Sequence, residues 1–248
     1  MMQILTSISS LAYDAALSLV YPQACAICGA GVESRHDGVC CAQCWNTSTL
    51  FDETEAQCGK CGASSAALPG AGGQSVRCGR CDRDAFTGAR AAGGYEGALR
   101  ASIIELKRRP HVPRRIARLM YEVQQREPLN RAELIIPVPL HPLRQRERGF
   151  NQALILAAET SRLSGIPLDE HSLARRAQTK MHRAGMDRKA RRQSVDSAFA
   201  VRHTDLIDGK CVLLIDDVFT TGATASACAA ALRDAGAAEV LVLTIARA

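Results

Sequence analysis

VLLIDDVFTTGAT, residues 212–224, carries three structural signals in one short stretch. Val212, Leu213, Leu214 and Ile215 predict a short strand buried on both faces, as in a parallel sheet. Asp216 and Asp217 follow at its C-terminal end, then a turn of hydroxyls with one glycine, then the alanine-rich run 223–235, which predicts a helix. Hydroxyls on that turn and the unpaired N–H groups of the first helical turn together make a nest for an anion. A carboxylate pair close by can accept hydrogen bonds from a diol or hold Mg²⁺ through water. A ribose 5-phosphate satisfies both halves.

The order of residue types resembles the phosphoribosyl diphosphate (PRPP) motif of type I phosphoribosyltransferases. That resemblance assigns Asp216 and Asp217 to the ribose hydroxyls, and Thr220, Thr221, Gly222, Ala223 and Thr224 to the 5-phosphate. Two other readings compete. A strand ending in Asp-Asp can be the metal-holding site of a P-loop ATPase, but no G-x-x-x-x-G-K-[ST] occurs in the chain. The stretch can also be an ordinary strand-turn-helix with a threonine N-cap.

The 248 residues suffice for one α/β domain and something small besides. A net charge of +6 suits phosphorylated small molecules as well as nucleic acid, and so selects neither. Cysteine usage says more. Nine of the eleven cysteines precede residue 82, and eight of those form four C-x-x-C pairs: Cys25 and Cys28, Cys41 and Cys44, Cys58 and Cys61, Cys78 and Cys81. Without a secretory signal such repeats indicate metal rather than disulfides. Each pair makes a tight knuckle, and two knuckles complete a closed Cys₄ zinc site. Sequential and interleaved pairing both remain open at this stage. Cys40 lacks the spacing and is read as a spectator, while Cys211 and Cys228 read as small buried apolar residues. The ribbons are expected to be structural, since so polar and glycine-rich a segment builds no core without metal.

Residues 1–22 have no basic n-region, and Asp14 interrupts their apolar run, so they predict an amphipathic helix docked on the body of a cytoplasmic protein. No stretch is long and apolar enough to span a bilayer. Further on, 88–97 predicts a strand and turn, 98–106 and 114–126 helices, 134–138 a buried strand, 151–163 a long helix, 168–176 a further strand, and 239–245 a strand closing the sheet. These repeated strand-loop-helix units imply parallel βαβ connections. Two basic segments are read as loops. One is HPLRQRERGFN, with Arg144, Arg146 and Arg148; the other is 175–192, with eight Lys or Arg against the single acid Asp187.

Over nearly its whole length the chain resembles the ComF family of competence proteins. The CxxC pairs, ARAAGGYEGALRASIIELK, IIPVPLHPLRQRERGFNQA, the Arg-rich loop before AFAV, and VLLIDDVFTTGATA carry the resemblance. It implies a type I phosphoribosyltransferase fold, α/β with a parallel sheet flanked by helices, behind an N-terminal double zinc ribbon. The implied division is 1–22 helix, 23–86 double zinc ribbon and 87–248 phosphoribosyltransferase-like domain. It also implies that Pro139, Leu140 and His141 form the diphosphate loop and that 175–194 covers the site. Within the two basic segments, Arg148, Lys180 and Arg183 are the candidate cationic partners of the diphosphate. Tyr95 and Lys107 fall on family-typical positions. The chain departs from the family at 107–110, Lys-Arg-Arg-Pro where Lys-Tyr-Arg-Gly is frequent, and at Ser194, where Asn is frequent.

The expected cofactors are two structural zinc ions and Mg²⁺ accompanying PRPP. The expected activity is phosphoribosyl transfer from PRPP, or from a related phosphoribosyl compound, in the family's setting of DNA uptake during natural transformation. The alternative is a non-catalytic sensor of PRPP or nucleotide that binds single-stranded DNA or a competence ATPase.

Overall fold

The computed structural model describes residues 22–52, 57–64, 77–176 and 198–248. Residues 1–21 of the helix expected over 1–22, and residues 177–194 of the basic segment 175–194, lie outside the described residues, with Lys180, Arg183 and Ser194 among them. In chain order the elements are helix α1 (Ala42–Asn46), strand β1 (Gly88–Gly94), helices α2 (Gly97–Leu106) and α3 (Arg114–Gln124), and strand β2 (Leu134–Pro137). Helices α4 (Pro142–Arg148) and α5 (Gln152–Ser164) follow, then strands β3 (Leu173–Arg175), β4 (Phe199–Val201) and β5 (Cys211–Phe219), helix α6 (Ala223–Asp234) and strand β6 (Glu239–Arg247).

Four strands form one all-parallel sheet in the order β1-β6-β5-β2. Val212, Leu213, Leu214 and Ile215 are each fully buried, as are Val240, Leu241, Val242 and Leu243 opposite them. Successive strand residues point to opposite faces, and the two faces feed two cores. Leu213, Ile215, Leu241, Leu243 and Ile245 pack with α2, α3 and α5; Val212, Leu214, Val240 and Val242 pack with α6. Burying one such side chain contributes about 1.5–3 kcal/mol, so the uninterrupted apolar runs are the main stabilising feature of the sheet.

Several expectations are refined. The strand expected to close the sheet, β6, is interior, lying between β1 and β5. Strand β5 runs on past the acidic pair to Phe219. Of the strand expected over 168–176, Leu168 makes one parallel bridge to Ile135, and only β3 is regular, pairing antiparallel with β4 outside the main sheet. The break between them is local, because the Asp169 carboxylate accepts from the His171 and Ser172 N–H groups and turns the chain. HPLRQRERGF, read as a loop, contains α4. His141 caps it by accepting the Leu143 N–H, Pro142 opens it, and Gly149 ends it in the left-handed region at φ 78°.

The cysteine segments belong to the same cores. Cys25, Cys41 and Trp45 join the core on the α2 and α3 side, whereas Cys58, Cys61, Cys81 and Phe86 join the core on the α6 side. The two ribbons thus pack against opposite faces of one sheet. Next to the first ribbon the chain also covers the sheet edge: Phe51 N–H donates to Ala92 O at 2.9 Å, and Gly94 N–H to Thr49 O at 3.0 Å. That pairing removes an exposed strand edge.

Candidate functional site

Strand β5 delivers the acidic pair to the C-terminal edge of the sheet, where ligands bind in open α/β folds. Because β5 continues beyond them, alternation sends the two carboxylates to different sides. Asp216 lies on the α6 side, near Cys228, whose buried thiol it helps to raise. Asp217 lies on the α2 side, where Lys107 Nζ, just past the end of α2, reaches its Oδ2 at 2.8 Å. Each carboxylate also takes a backbone N–H, that of Asp217 on Asp216 Oδ1 at 2.8 Å and that of Val218 on Asp217 Oδ1 at 3.0 Å.

Asp217 is buried, whereas Asp216 as a residue keeps partial exposure. Burial, followed by the charge of Asp217, pushes the Asp216 carboxyl well above the usual carboxylate range, opposed by the Asp217 N–H and Lys107. In the sequence Lys107 stands out only through the family resemblance. No local signal could have paired it with Asp217.

Past Phe219 the chain turns through Thr220, Thr221 and Gly222 into α6. Gly222 is the N-cap, at φ 79°, and a Cβ there would lie 2.8 Å from Phe219 Cζ, so the turn needs glycine both for its backbone and for its space. The cap is thus glycine and not the threonine of the ordinary strand-turn-helix alternative, while Thr221 Oγ1 accepts from Ala223 N–H at 3.4 Å. Thr220, Thr221, Ala223 and Thr224 are exposed around the buried Gly222, leaving the hydroxyls and the start of a twelve-residue helix open to solvent.

The segment expected to be the diphosphate loop lies beside this turn because β2 pairs with β5. Pro137 is in register with Ile215, and Val138 N–H donates to Ile215 O at 2.9 Å. Pro139, Leu140 and His141 follow, all partly exposed, and Asn151 Nδ2 holds Val138 O at 3.1 Å. Arg148, in the last turn of α4, donates to Gln152 Oε1 at 2.7 Å. Tyr95 is joined to the far end of β6 through its N–H, which donates to Arg247 O at 2.7 Å.

The cysteines resolve into two sequential sets, Cys25, Cys28, Cys41 and Cys44, and Cys58, Cys61, Cys78 and Cys81, with the sulfurs of each set within 4.8 Å of one another. Adjacent Sγ atoms stand 3.5–3.7 Å apart in the second set and 3.6 Å apart between Cys28 and Cys41. A tetrahedron with Zn–S near 2.3 Å has edges of about 3.8 Å, so both sets fit zinc. Knuckle amides point at the sulfurs, Ile27 N–H at Cys25 and Cys78 N–H at Cys58. Burial works to raise Cys25 and Cys58, but such backbone donors outweigh it and bring both down to about 6. Cys40 stays outside the set; burial and the neighbouring Cys25 push it up to about 12, where it remains a thiol. Cys211 and Cys228 are buried, as expected.

Among the described residues, the sets able to hold a metal are these two cysteine clusters. With Asp217 already engaged by Lys107, the donor set around the acidic pair suits a cation carried in on a ligand's phosphates rather than a protein cage. A cavity of about 990 Å³ lies away from this edge, between α3 and α5. Three of its arginines already have carboxylates: Arg115 with Asp37, Arg118 with Glu122, and Arg162 with Glu159.

A family model described as a double zinc ribbon domain matches residues 16–82. Competence protein F of Haemophilus influenzae is 35% identical over 142 residues, which cover 55% of this chain and 62% of that protein, just under two thirds. The DNA utilization protein YhgH of Escherichia coli K12 is 29% identical over 240 residues, 92% of this chain and 99% of its own length. Competence protein ComFC of Bacillus subtilis is 34% identical over 115 residues, 46% of this chain and 44% of that protein. Among solved structures, glutamine PRPP amidotransferase from B. subtilis complexed with ADP and GMP matches at TM-score 0.36 and 21% identity, over 52% of this chain and 25% of that one. Among the described residues no helix is long and apolar enough to cross a membrane.

Proposed function

We propose that this chain, a member of the ComF family, binds PRPP with Mg²⁺ at the C-terminal edge of its parallel sheet and transfers the phosphoribosyl group to an acceptor. One observation carries the proposal: an acidic pair, a glycine-capped helix start and the 138–141 segment converge on a single edge. In this reading the 5-phosphate takes the N–H groups of the first turn of α6 and the hydroxyls of Thr220, Thr221 and Thr224. Asp216 and Asp217 accept from the ribose hydroxyls, which requires Lys107 to share or release Asp217. The diphosphate lies against Pro139, Leu140 and His141, with Arg148, Lys180 and Arg183 as its cationic partners.

Transfer breaks the bond from C1 to the diphosphate oxygen, which leaves with the electron pair, and forms a bond from C1 to the acceptor's lone pair. The protein's part is to hold the sugar at both ends, present negative charge beneath an oxocarbenium-like C1, and receive a leaving group that gains charge. When bound, Mg²⁺ would neutralise diphosphate oxygens. Competence and DNA utilization are the settings printed for the relatives, and DNA uptake in natural transformation is the context proposed for this chain.

Those same settings favour a second reading, a PRPP or nucleotide sensor whose ribbons meet single-stranded DNA or a competence ATPase. Calorimetry with PRPP and Mg²⁺, paired with an assay of diphosphate release, separates the two. Asp216→Ala with Asp217→Ala should weaken PRPP binding by more than about a hundredfold, since each carboxylate makes charged hydrogen bonds. Unchanged affinity would remove the ribose role. Binding with no release, with or without nucleobases or DNA as acceptors, would favour the sensor.

A further inference from the structure

The second cysteine set reaches the turn before α6 through one arginine. Arg247, at the end of β6, donates from Nη1 to Cys61 O at 2.5 Å, and its Nη2 lies 3.7 Å from Cys61 Sγ. The same guanidinium lies over the Phe219 ring at 4.7 Å. Phe219 is the last residue of β5, and its ring edge fills the space where Gly222 has no side chain. On its other side it meets Phe86 edge to face at 5.7 Å and 83°. Phe86 in turn lies under Lys60, within the Cys58-x-x-Cys61 knuckle, and Lys60 Nζ donates to Asp84 O at 2.7 Å. Just before Phe86, Ala85 N–H donates to Ser226 Oγ in α6 at 3.0 Å. The knuckle therefore grips the turn at Phe219 and the helix at Ser226.

We propose that Arg247 is a positioning residue that makes metal occupancy of the second cysteine set a condition for the shape of the 220–224 turn. Four thiolates around one zinc carry net negative charge, which a guanidinium beside Cys61 compensates while it fixes the orientation of the knuckle. A cation over an aromatic face is also held best where water is excluded, and Phe219 is buried. When the metal leaves, the knuckle loses its folding energy, Arg247 loses both partners on Cys61, and Phe219 loses a wall. The turn that depends on Phe219 then has no fixed geometry. The consequence for ligand binding rests on the sugar-phosphate reading above, whereas the mechanical coupling does not.

The experiment uses the full zinc-loaded chain and Arg247→Met, with Arg247→Lys as the conservative variant. Three quantities are measured: zinc per chain, amide hydrogen exchange of the peptide 219–225, and affinity for ribose 5-phosphate. Exchange of 219–225 should accelerate in Arg247→Met while the β2 peptide is unchanged. Affinity should fall roughly ten- to a hundredfold, the loss of about one charged hydrogen bond, and Arg247→Lys should recover part of both. Should Arg247→Met also shed its second zinc, adding zinc back must restore exchange protection and affinity in step with the second equivalent. Wild-type exchange in a variant holding both zinc ions overturns the coupling, as does protection that fails to return with the metal. Wild-type chain that never binds ribose 5-phosphate, yet shows the exchange effect, leaves the coupling standing and removes the sugar-phosphate reading instead.

Discussion

Asp216 and Asp217 are neighbours in sequence and chemically identical, yet the fold treats them differently. Asp217 is held by Lys107, while Asp216 is pushed upward by burial and by its neighbour's charge. The sign of the resulting pH dependence follows from proton counts. From the ordinary carboxylate value near 4 up to the raised folded value, the folded chain binds more protons at Asp216 than the unfolded one, so stability falls as pH rises through that window. Asp216→Asn cannot titrate. Thermal melts of the variant should match wild type at about pH 3 and exceed it by a margin that widens above about pH 4. A margin constant with pH would show that the site does not control the carboxyl. The adjacency of the two acids was legible in the sequence; their inequality was not, because Lys107 comes from the end of α2, about 110 positions away in the chain.

At the level of elements, the join between β5 and α6 depends on Gly222. A side chain there has to adopt the left-handed region and displace the Phe219 ring. Gly222→Ala should lose about 1–2 kcal/mol from the backbone conformation alone, measured by urea denaturation, and should weaken ribose 5-phosphate binding as the turn shifts. A variant with wild-type stability would mean that the turn relaxes without strain. The strand-turn-helix itself was readable from residues 212–224, since a four-residue apolar run and an alanine-rich run are local signals. Two neighbouring elements were harder to read. The seven-residue α4 was masked by its charges, although Pro142 and Gly149 marked both of its ends. The position of β6 was misread because being last in the chain does not place a strand at an edge; its side chains, buried on both faces, are what an interior strand needs.

For the molecule as a whole, the ribbons are not appendages, since each contributes to one of the two cores on either side of the sheet. Trp45, the only tryptophan, sits beside the first cysteine set, buried under Arg115 at 4.5 Å with its Nε1 donating to Asp37 O. Replacing Cys25 and Cys28 by Ser should release one equivalent of zinc and shift Trp45 emission to the red, because metal binding supplies that segment's folding energy. Retained metal with an unshifted spectrum would show that the set is not a zinc site.

The residues alone determined whatever depends on neighbours a few positions away. The CxxC spacing specified metal knuckles, and the apolar run, acidic pair, hydroxyl turn and alanine-rich run specified a strand-turn-helix with carboxylates and hydroxyls at its join. Tertiary structure decided which knuckles pair, which face each ribbon covers, which cation holds Asp217, and how Cys61 comes to meet Arg247 across 186 positions. A knuckle or a cap is closed by chemistry within one turn of chain. A contact between distant residues exists only once the strand order has brought them together, and that order is set by the burial of the entire sheet.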